Sequence, residues 1–332
     1  MTKNLRQAGI WGLGMAVPEK ILTNADLEKM VETTDEWITT RTGIKERRIA
    51  APGEATSDLA TRAARQALEG AGVEPEQLDL IIVATVTPDM SFPATACIVQ
   101  MELGADNAAV FDLSAGCSGF VYALDIAART IESGAYERVL IIGADVLSKI
   151  TDWSDRSTCV LFGDGAGAAV VGPVQNGKGL LAADLGAVGK SGHFLTLPAG
   201  GSRTPASVET VEGGQHYIHM HGNEVYKFAV RVMGETTKKA LAKCGLTSKD
   251  IDVFIPHQAN IRIIDAACRR LGIEDEKVFV NVHAYGNTSA ASVPIALYEA
   301  YHEGLIHDSD IVALVGFGAG LTWASAILKW GR

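Results

Sequence analysis

Long apolar runs and excess positive charge are both absent from this sequence. No stretch of about 18 apolar residues, the length of a membrane-spanning helix, occurs anywhere. The opening segment "MTKNLRQAGI" lacks the apolar core of a secretion signal. The 39 Asp and Glu outnumber the 29 Lys and Arg, so the formal net charge is −10. This balance argues against general affinity for nucleic acid or for an anionic membrane surface, although it permits a local basic face. We therefore expect a soluble cytoplasmic protein.

Cysteine is also rare, with five residues at irregular spacings and no CxxC pair. An odd count without such pairs is typical of reduced intracellular thiols rather than of a disulfide framework or a zinc site. The 332 residues are 47% hydrophobic and 20% charged, which is the composition of a soluble α/β protein long enough for two core-sized units. The cysteines are Cys97, Cys117, Cys159, Cys244 and Cys268.

Cys117 lies between a strand-like segment and a helix-like segment. The stretch from Ala108 to Leu113 is short, apolar and rich in strand-favouring residues. Apolar residues then recur at helical spacing from Phe120 to Ile131. Cys117 should therefore stand at a helix N-terminus, where free backbone N–H groups and the helix dipole favour a thiolate. Considered alone, Cys117 could equally be a small buried hydrophobic residue without a chemical role.

The second half of the chain repeats the pattern of the first half. The segment "ALEGAGVEPEQLDLIIVA" from Ala67 aligns with "ALAKCGLTSKDIDVFIPH" from Ala240, and further on Cys117 aligns with Asn287. We therefore predict two related halves, residues 1–173 and 174–332, whose sheets pack back to back. The seam should fall in a stretch that contains glycine and proline, "GPVQNGKG".

Such a duplication would bring distant residues to one place. The strand-to-helix turns at Cys117 and Asn287 would face each other near the middle of the molecule. His257 ends the predicted strand "IDVFIPH", where ligands of open α/β sheets usually bind. A cysteine, a histidine and an asparagine would then share one pocket. Each polar residue also has an ordinary interpretation: His257 as a satisfied histidine at a strand end, and Asn287 as part of an Asx turn or helix cap.

Four motifs carry a resemblance to a known family. The segments "SAGCSGF", "PHQANIR", "YGNTSAAS" and "GFGAG", in this order, resemble the thiolase-fold condensing enzymes, and the match is closest to the β-ketoacyl-acyl-carrier-protein synthase III family. The resemblance extends over nearly the whole chain. It implies an α/β protein with the thiolase-like, five-layered αβαβα fold, built from two duplicated halves with mixed sheets.

The resemblance also implies a function, the initiation of type II fatty acid synthesis. An acyl group from acyl-CoA would be transferred to Cys117 and then condensed with malonyl-acyl carrier protein, with loss of carbon dioxide, to give 3-ketoacyl-acyl carrier protein. Cysteine suits this role because its acyl adduct is itself a reactive thioester. His257 and Asn287 would hold the enolate oxygen, and backbone N–H groups of Cys117 and Ala319 would form the oxyanion hole. The enzyme would be a homodimer that needs no metal or bound cofactor, since acyl-CoA is a substrate.

Further residues are assigned to binding surfaces through the same resemblance. Arginines stacked on a tryptophan suit a nucleotide, and basic side chains on one helix face suit an acidic carrier protein. The ordinary alternatives are surface ion pairs and solvated charges for these groups, and simple core packing for the aromatic residue at the acyl pocket. The residues are Trp37, Arg41, Arg156 and Asn223 for CoA, Lys227, Arg262, Arg269 and Arg270 for the carrier protein, and Phe92 for the acyl pocket at the dimer interface.

Two other patterns fit the chemistry less well. His216, His219 and His221 have ligand-like spacing but no acidic or cysteine partner nearby, so we predict no metal site. The segment "GDGAGAA" from Gly163 resembles a phosphate loop without the Lys-Ser/Thr ending, so we expect a tight turn there.

Two alternative functions stay open on the sequence alone. One is a ketosynthase or acyltransferase that loads starter units in polyketide synthesis. The other is a non-catalytic subunit that binds an acyl carrier.

Overall fold

Strands and helices alternate along most of the chain. The structure is a computed structural model and describes residues 6–332, so the first five residues of the predicted half 1–173 lie outside the described part. The strands are β1 (Gln7–Ala16), β2 (Lys20–Thr23), β3 (Glu46–Ile49), β4 (Leu80–Ala84), β5 (Ala109–Leu113), β6 (Val139–Val146), β7 (Asp164–Val174), β8 (Gly179–Ala187), β9 (Leu195–Thr196), β10 (His219–Met220), β11 (Val253–Pro256), β12 (Ile311–Gly318) and β13 (Thr322–Lys329).

Helices connect most of these strands. They are α1 (Asn24–Leu27), α2 (Asp35–Thr42), α3 (Thr56–Ala71), α4 (Thr95–Leu103), α5 (Gly119–Glu132), α6 (Arg156–Cys159), α7 (Val208–Glu212), α8 (Gly222–Lys243), α9 (Ile261–Leu271), α10 (Val282–Tyr285) and α11 (Ser292–His302). None of the helices within residues 6–332 is both long enough and apolar enough to cross a membrane.

Two mixed sheets carry the fold, and their topologies match. The first has the order β1-β7-β6-β4-β5 and the second the order β11-β12-β13-β8. In the first sheet β4 and β6 are parallel, whereas β6 and β7, and β7 and β1, are antiparallel. In the second sheet β11 and β12 are likewise parallel, and β12 and β13, and β13 and β8, are antiparallel. The place of β5 beside β4 is taken in the second sheet by Val278, which forms a parallel bridge with Phe254. The duplicated fold predicted from the sequence is therefore confirmed.

A pair of aspartates shows the same correspondence in detail. The Asp79 carboxylate accepts hydrogen bonds from the backbone N–H groups of Glu137 and Arg138, just before β6. The Asp252 carboxylate likewise accepts the N–H of Ile311, the first residue of β12. Each aspartate thus ties the start of one strand to the start of the neighbouring parallel strand.

The core is arranged in layers because both sheets are covered on both faces. In β4, Leu80 and Ile82 belong to the apolar cluster between the sheets, whereas Ile81 and Val83 pack under the outer helices. Such a strand is apolar throughout, as its sequence is. Helices α5 and α11 fill the layer between the sheets, α3 and α4 cover the first sheet, and α8 and α9 cover the second. This is the predicted αβαβα arrangement.

The chain passes from one sheet to the other after β7. That strand ends at Val174 and β8 begins at Gly179, within the stretch where the seam is expected. The division at residue 173 stays a prediction.

The segment "GDGAGAA" differs from its expectation. It is not a tight turn, because Asp164 begins β7 and the small residues continue along that strand. A Cβ added at Gly167 would lie 2.7 Å from the Cβ of Pro294, so glycine lets α11 lie directly on the sheet. Close helix packing, rather than phosphate binding, explains this run of glycines.

The contact between β1 and α3 is similarly close. A Cβ added at Gly12 would lie 2.3 Å from the carbonyl oxygen of Ala67, which is backbone and cannot rotate away. Gly70, on the same helix, has only ordinary contacts, the nearest at 3.7 Å.

These contacts predict opposite effects for two identical changes. Gly12→Ala should lower the free energy of unfolding by about 3 kcal/mol, because overpacking displaces the helix from the sheet. Gly70→Ala, its control, should leave stability unchanged or raise it by up to about 1 kcal/mol, since alanine favours helix. Denaturant midpoints of the two variants measure the difference. Equal midpoints would contradict the close packing described here.

Candidate active site

Cys117 lies where the sequence predicts, between β5 and α5. A 3-10 turn, Gly116–Ser118, precedes the helix, and Gly116 has a φ of +57°. A Cβ added at Gly116 would lie 2.5 Å from the backbone nitrogen of Ala319, and one at Gly318 would lie 2.2 Å from that of Cys117. The two loops therefore pack backbone against backbone, and the peptide groups of Cys117 and Ala319 are neighbours.

Asn287 lies at the corresponding turn of the second half. Its backbone N–H donates to the carbonyl oxygen of Leu161 (2.8 Å), and its own carbonyl accepts the N–H of Gly163 (3.0 Å). Its side-chain Oδ1 accepts the N–H of Ser289 (2.9 Å). These bonds fix the amide orientation, so Nδ2 is the end left for another acceptor.

His257 is buried directly after β11. Its backbone N–H donates to the carbonyl of Val315 (2.7 Å), and its ring lies edge-on to Phe317 with the centroids 5.1 Å apart. Burial lowers the pKa of His257 to about 3, so the imidazole is neutral near neutral pH. Nε2 is buried and has no hydrogen-bond partner within the described residues.

Ser292 determines which ring nitrogen of His257 carries the proton. Its Oγ forms a short hydrogen bond with Nδ1 of the ring and accepts the backbone N–H of Gln258 (3.3 Å). Nδ1 is the acceptor found for the Ser292 hydroxyl proton within the described residues, so the hydroxyl donates to Nδ1, and we assign the ring proton to Nε2. Sequence reasoning missed Ser292 because nothing in its spacing relates it to a histidine far away in the chain.

Two cavities meet at the Cys117 thiol. A cavity of about 220 Å³ also contains His257 and Asn287, so the structure brings the three predicted side chains together. Its wall is otherwise mostly apolar, and we call it the polar cavity after these two side chains. An apolar cavity of about 100 Å³ extends from the other side of the thiol. Its lining includes Val86, Leu147, Ile150, Phe162, Leu195, Leu197 and Ile218. A larger cavity of about 460 Å³ beside Trp11 contains none of the three predicted residues.

The thiol is protonated at rest, in contrast to the expectation from its place in the sequence. Burial raises the pKa of Cys117 to about 12; the charge of Asp145 acts in the same direction, and the Ser289 hydroxyl opposes it. Burial of the sulfur raises its pKa by more than the helix N-terminus lowers it. The prediction of a thiolate is therefore wrong for the resting site.

The residues predicted to bind CoA form a stack at the surface. The guanidinium carbons of Arg41 and Arg156 lie 4.5 Å and 5.0 Å from the ring centroid of Trp37. Arg156 also donates to the carbonyl of Glu32 (2.8 Å). Asn223 is exposed in the first turn of α8 and does not line the polar cavity, although its neighbour Gly222 does.

The residues predicted to dock the carrier protein are exposed. On α9 the arginines are opposite to the buried face, and none forms an ion pair within residues 6–332. The guanidinium of Arg262 lies 6.0 Å from the ring of Tyr226, which lines the polar cavity. Lys227 is exposed and pairs with Glu224 (2.8 Å). The three arginines are Arg262, Arg269 and Arg270.

Phe92 lies apart from both cavities at Cys117. It is 85% exposed, so the interpretation of Phe92 as simple core is wrong. Within the described residues, no group of three His, Cys, Asp or Glu side chains is arranged to hold a metal ion, the three spaced histidines included.

Comparison with known proteins agrees with this geometry. Residues 111–189 match the family model for 3-oxoacyl-[acyl-carrier-protein] synthase III, and residues 241–330 match the model for its C-terminal part. The chain is 65% identical to beta-ketoacyl-[acyl-carrier-protein] synthase III of Caldanaerobacter subterraneus subsp. tengcongensis over 98% of both chains. The chain belongs to the beta-ketoacyl-[acyl-carrier-protein] synthase III family.

Solved structures lead to the same family. The crystal structure of 3-oxoacyl-[acyl-carrier-protein] synthase III from Aquifex aeolicus superposes with a TM-score of 0.90, with 50% identity over 97% of this chain and 100% of that one. The priming β-ketosynthase of the R1128 polyketide pathway superposes with a TM-score of 0.91, with 38% identity over 99% and 97% of the two chains. As a member of the synthase III family, the chain is a condensing acyltransferase with the thiolase fold.

The tautomer of His257 can be tested directly. In protein labelled with ¹⁵N at histidine, we expect a neutral His257 ring with its proton on Nε2 at about pH 5, below the ordinary histidine pKa. Nitrogen chemical shifts distinguish the two tautomers. Ser292→Ala removes the partner of Nδ1 and should give a tautomer mixture. A His257 signal that titrates near its ordinary pKa, or a proton on Nδ1 in the unaltered protein, would contradict the assignment.

Proposed function

We propose that this chain initiates fatty acid synthesis by loading an acyl group from acyl-CoA onto Cys117 and condensing it with malonyl-acyl carrier protein. His257 and Asn287 act in the second step. The observation that carries the proposal is that the thiol, the neutral imidazole and the oriented carboxamide border one cavity.

The loading step exchanges one thioester for another. The Cys117 sulfur attacks the primer carbonyl, the bond from that carbon to the CoA sulfur breaks, and the thiol proton passes to the departing CoA. The adjacent peptide N–H groups of Cys117 and Ala319 stabilise the oxygen that becomes negative. The apolar cavity holds the acyl chain while the polar cavity holds the pantetheine arm.

The condensation step creates negative charge on the malonyl thioester oxygen. Nε2–H of His257 and Nδ2–H of Asn287 donate to that oxygen as carbon dioxide leaves. The resulting carbanion attacks the acyl carbon on Cys117, and the sulfur leaves and regains a proton. The low pKa of His257 suits this role, because a neutral ring donates one hydrogen bond without transferring its proton. The substrates and the Cys117 thiol supply every reacting group, so the proposed reaction uses no cofactor or metal.

Two variants separate the steps. Cys117→Ser should abolish acylation by acetyl-CoA, measured as the mass increase of the intact protein, because a serine hydroxyl without an adjacent base is a far weaker nucleophile than a thiol. His257→Ala should still load but lose condensation by about 10²–10³-fold, since one donor to the enolate oxygen is removed. Release of carbon dioxide from labelled malonyl-carrier protein measures the second step. Loss of loading in both variants would contradict this division.

The same experiment separates the alternatives. An acyl-carrier-binding subunit without catalytic activity would show no mass increase on Cys117. A starter-loading enzyme of polyketide synthesis, which the similarity to the R1128 priming ketosynthase supports, would load normally but prefer a different carrier protein. We favour fatty acid synthesis because relatives at 65% and 61% identity bear the name beta-ketoacyl-[acyl-carrier-protein] synthase III, whereas the polyketide ketosynthase is 38% identical.

The apolar cavity suggests a short primer. A volume of about 100 Å³ holds three or four non-hydrogen atoms if each takes about the volume of a water molecule. Acetyl and propionyl groups fit this space. A neighbouring cavity of about 270 Å³ shares the wall formed by Val86, Ile150 and Leu197.

Opening that wall should lengthen the accepted primer. Ile150→Ala joins the two cavities and should raise the rate with hexanoyl-CoA relative to acetyl-CoA by at least about tenfold, because two further methylene groups become buried. Met220→Ala is a matched control, since Met220 lines only the polar cavity. Steady-state kinetics with a primer series measure both. An unchanged chain-length profile for Ile150→Ala would place the acyl group elsewhere.

The exposed residues of the chain suit two partners, CoA and an acyl carrier protein. Stacked Trp37, Arg41 and Arg156 suit the adenine and phosphates of CoA, and Asn223 lies beside the polar cavity's rim residue Gly222. The arginine face of α9, with Lys227 on α8, suits an acidic carrier protein despite the net charge of −10.

A homodimer is supported by the exposed edge of the first sheet. Strand β5 has no neighbour on its outer side within the described residues, and Phe111 on it is 39% exposed. Phe92 and Met101 add exposed apolar surface on the adjoining loop and helix. Edge strands with apolar side chains are suited to pairing with a second copy. In such a dimer Phe92 would close the partner's acyl pocket. We also propose a cytoplasmic location, which suits five free thiols.

A further inference from the structure

A buried carboxylate behind the nucleophile has no role in the steps above. Asp145, near the end of β6, is 0% exposed. Its Oδ1 accepts the Thr85 hydroxyl (2.9 Å), the Thr87 hydroxyl (2.9 Å) and the N–H groups of Val86 (2.8 Å) and Thr87 (3.2 Å). Its Oδ2 accepts the N–H of Ala290 (3.1 Å), in the turn before α11. A carboxylate bound by so many donors is held rigidly.

Ser289 precedes Ala290 and has two unusual properties. Its φ is +52°, a region that serine rarely adopts, and its Oγ is buried with no hydrogen-bond partner within residues 6–332. Ser289 is 2% exposed and lines the apolar cavity together with Cys117. A strained backbone and an unpaired buried hydroxyl both cost stability, so they point to a functional position.

The bonds on either side explain how this conformation is maintained. The N–H of Ser289 is held by Oδ1 of Asn287, and the next N–H is held by Asp145. Ser289 thus lines one cavity with Cys117, and its hydroxyl opposes the rise in pKa that burial causes in both Cys117 and Asp145. The Asp145 charge has the opposite effect on the thiol, whose pKa it raises.

We propose that Ser289 is a catalytic residue for the loading step: its hydroxyl donates to the Cys117 sulfur as negative charge forms there, while Asp145 holds the serine turn in place through the N–H of Ala290. The inference rests on the proposed function, in which Cys117 carries the acyl group. Burial and the Asp145 charge keep the resting thiol protonated, and the Ser289 hydroxyl provides a hydrogen bond to the ionised sulfur of the reacting state.

Few other titratable groups face this pair. His257 lies across the polar cavity from Cys117 and is neutral. Asp164 at the start of β7 is buried, and the Asp145 charge helps to raise its pKa. Both groups stay unaltered in every Ser289 variant, so a change in Cys117 reactivity on altering Ser289 reports on the serine.

The test compares Ser289→Ala and Ser289→Gly with Ser325→Ala. Glycine removes the hydroxyl and relieves the strained φ, so it guards against misfolding of the alanine variant. Ser325 is a buried serine on β13 whose Oγ also lacks a partner within residues 6–332, and it lines neither cavity at Cys117. Three rates are measured for each: alkylation of Cys117 by iodoacetamide across a pH series, acylation by acetyl-CoA, and condensation by enzyme already acylated.

Both Ser289 variants should alkylate and load about tenfold more slowly at a fixed pH, because loss of a hydrogen bond to a charged group raises the thiol pKa by about one unit. Condensation from acylated enzyme should change less than twofold, and Ser325→Ala should match the unaltered protein. Asp145→Asn removes the negative charge that raises the pKa of Cys117. The pH at which Cys117 alkylation becomes fast should therefore be lower than in the unaltered protein. Unchanged alkylation in the Ser289 variants, or equal losses in loading and condensation, would overturn the inference. Failure of the unaltered protein to load would instead overturn the proposed function.

Discussion

The close approach of two backbones is the constraint on which the site depends. The turn at Cys117 and the loop at Ala319 come from different halves of the chain, and glycine at positions 116 and 318 lets them touch without side chains between them. A single added Cβ at either position would push the halves apart. The cavities, the adjacent peptide N–H groups and the distance from the thiol to His257 all follow from this contact. Precise placement of such groups is what a preorganised acyl-transfer site requires.

Burial then sets the electrostatic character of the site. It raises the pKa of Cys117 and lowers that of His257, so both side chains are neutral at rest although each is ionisable. A neutral site suits a reaction in which negative charge appears briefly on a thioester oxygen, because hydrogen-bond donors act strongly where water is excluded. The buried carboxylate of Asp145 is surrounded by donors from the loop after β4 and from the turn before α11.

Local pattern predicted much of this arrangement. The position of Cys117 between a strand and a helix, the duplicated halves and the meeting of Cys117, His257 and Asn287 at one cavity all agree with expectations from periodicity and motif order. The thiolate was wrongly expected, because the helix start is visible in the sequence whereas burial of the sulfur is not. The prediction of a turn at "GDGAGAA" was wrong for a related reason. Its glycines allow close packing against α11, and a contact with a helix so distant in the chain is not visible in the local sequence.

The sequence by itself determined most of the elements, the family and the candidate side chains of the site, since these depend on residue type and on spacing along the chain. The tertiary structure alone decided the states of those side chains. Ser292 as the partner of His257, Ser289 beside Cys117 and the size of the acyl cavity involve residues from distant segments. Hydrogen bonding, exclusion of water and cavity volume depend on distances through space. The periodicity of residue types along the chain does not reveal these distances.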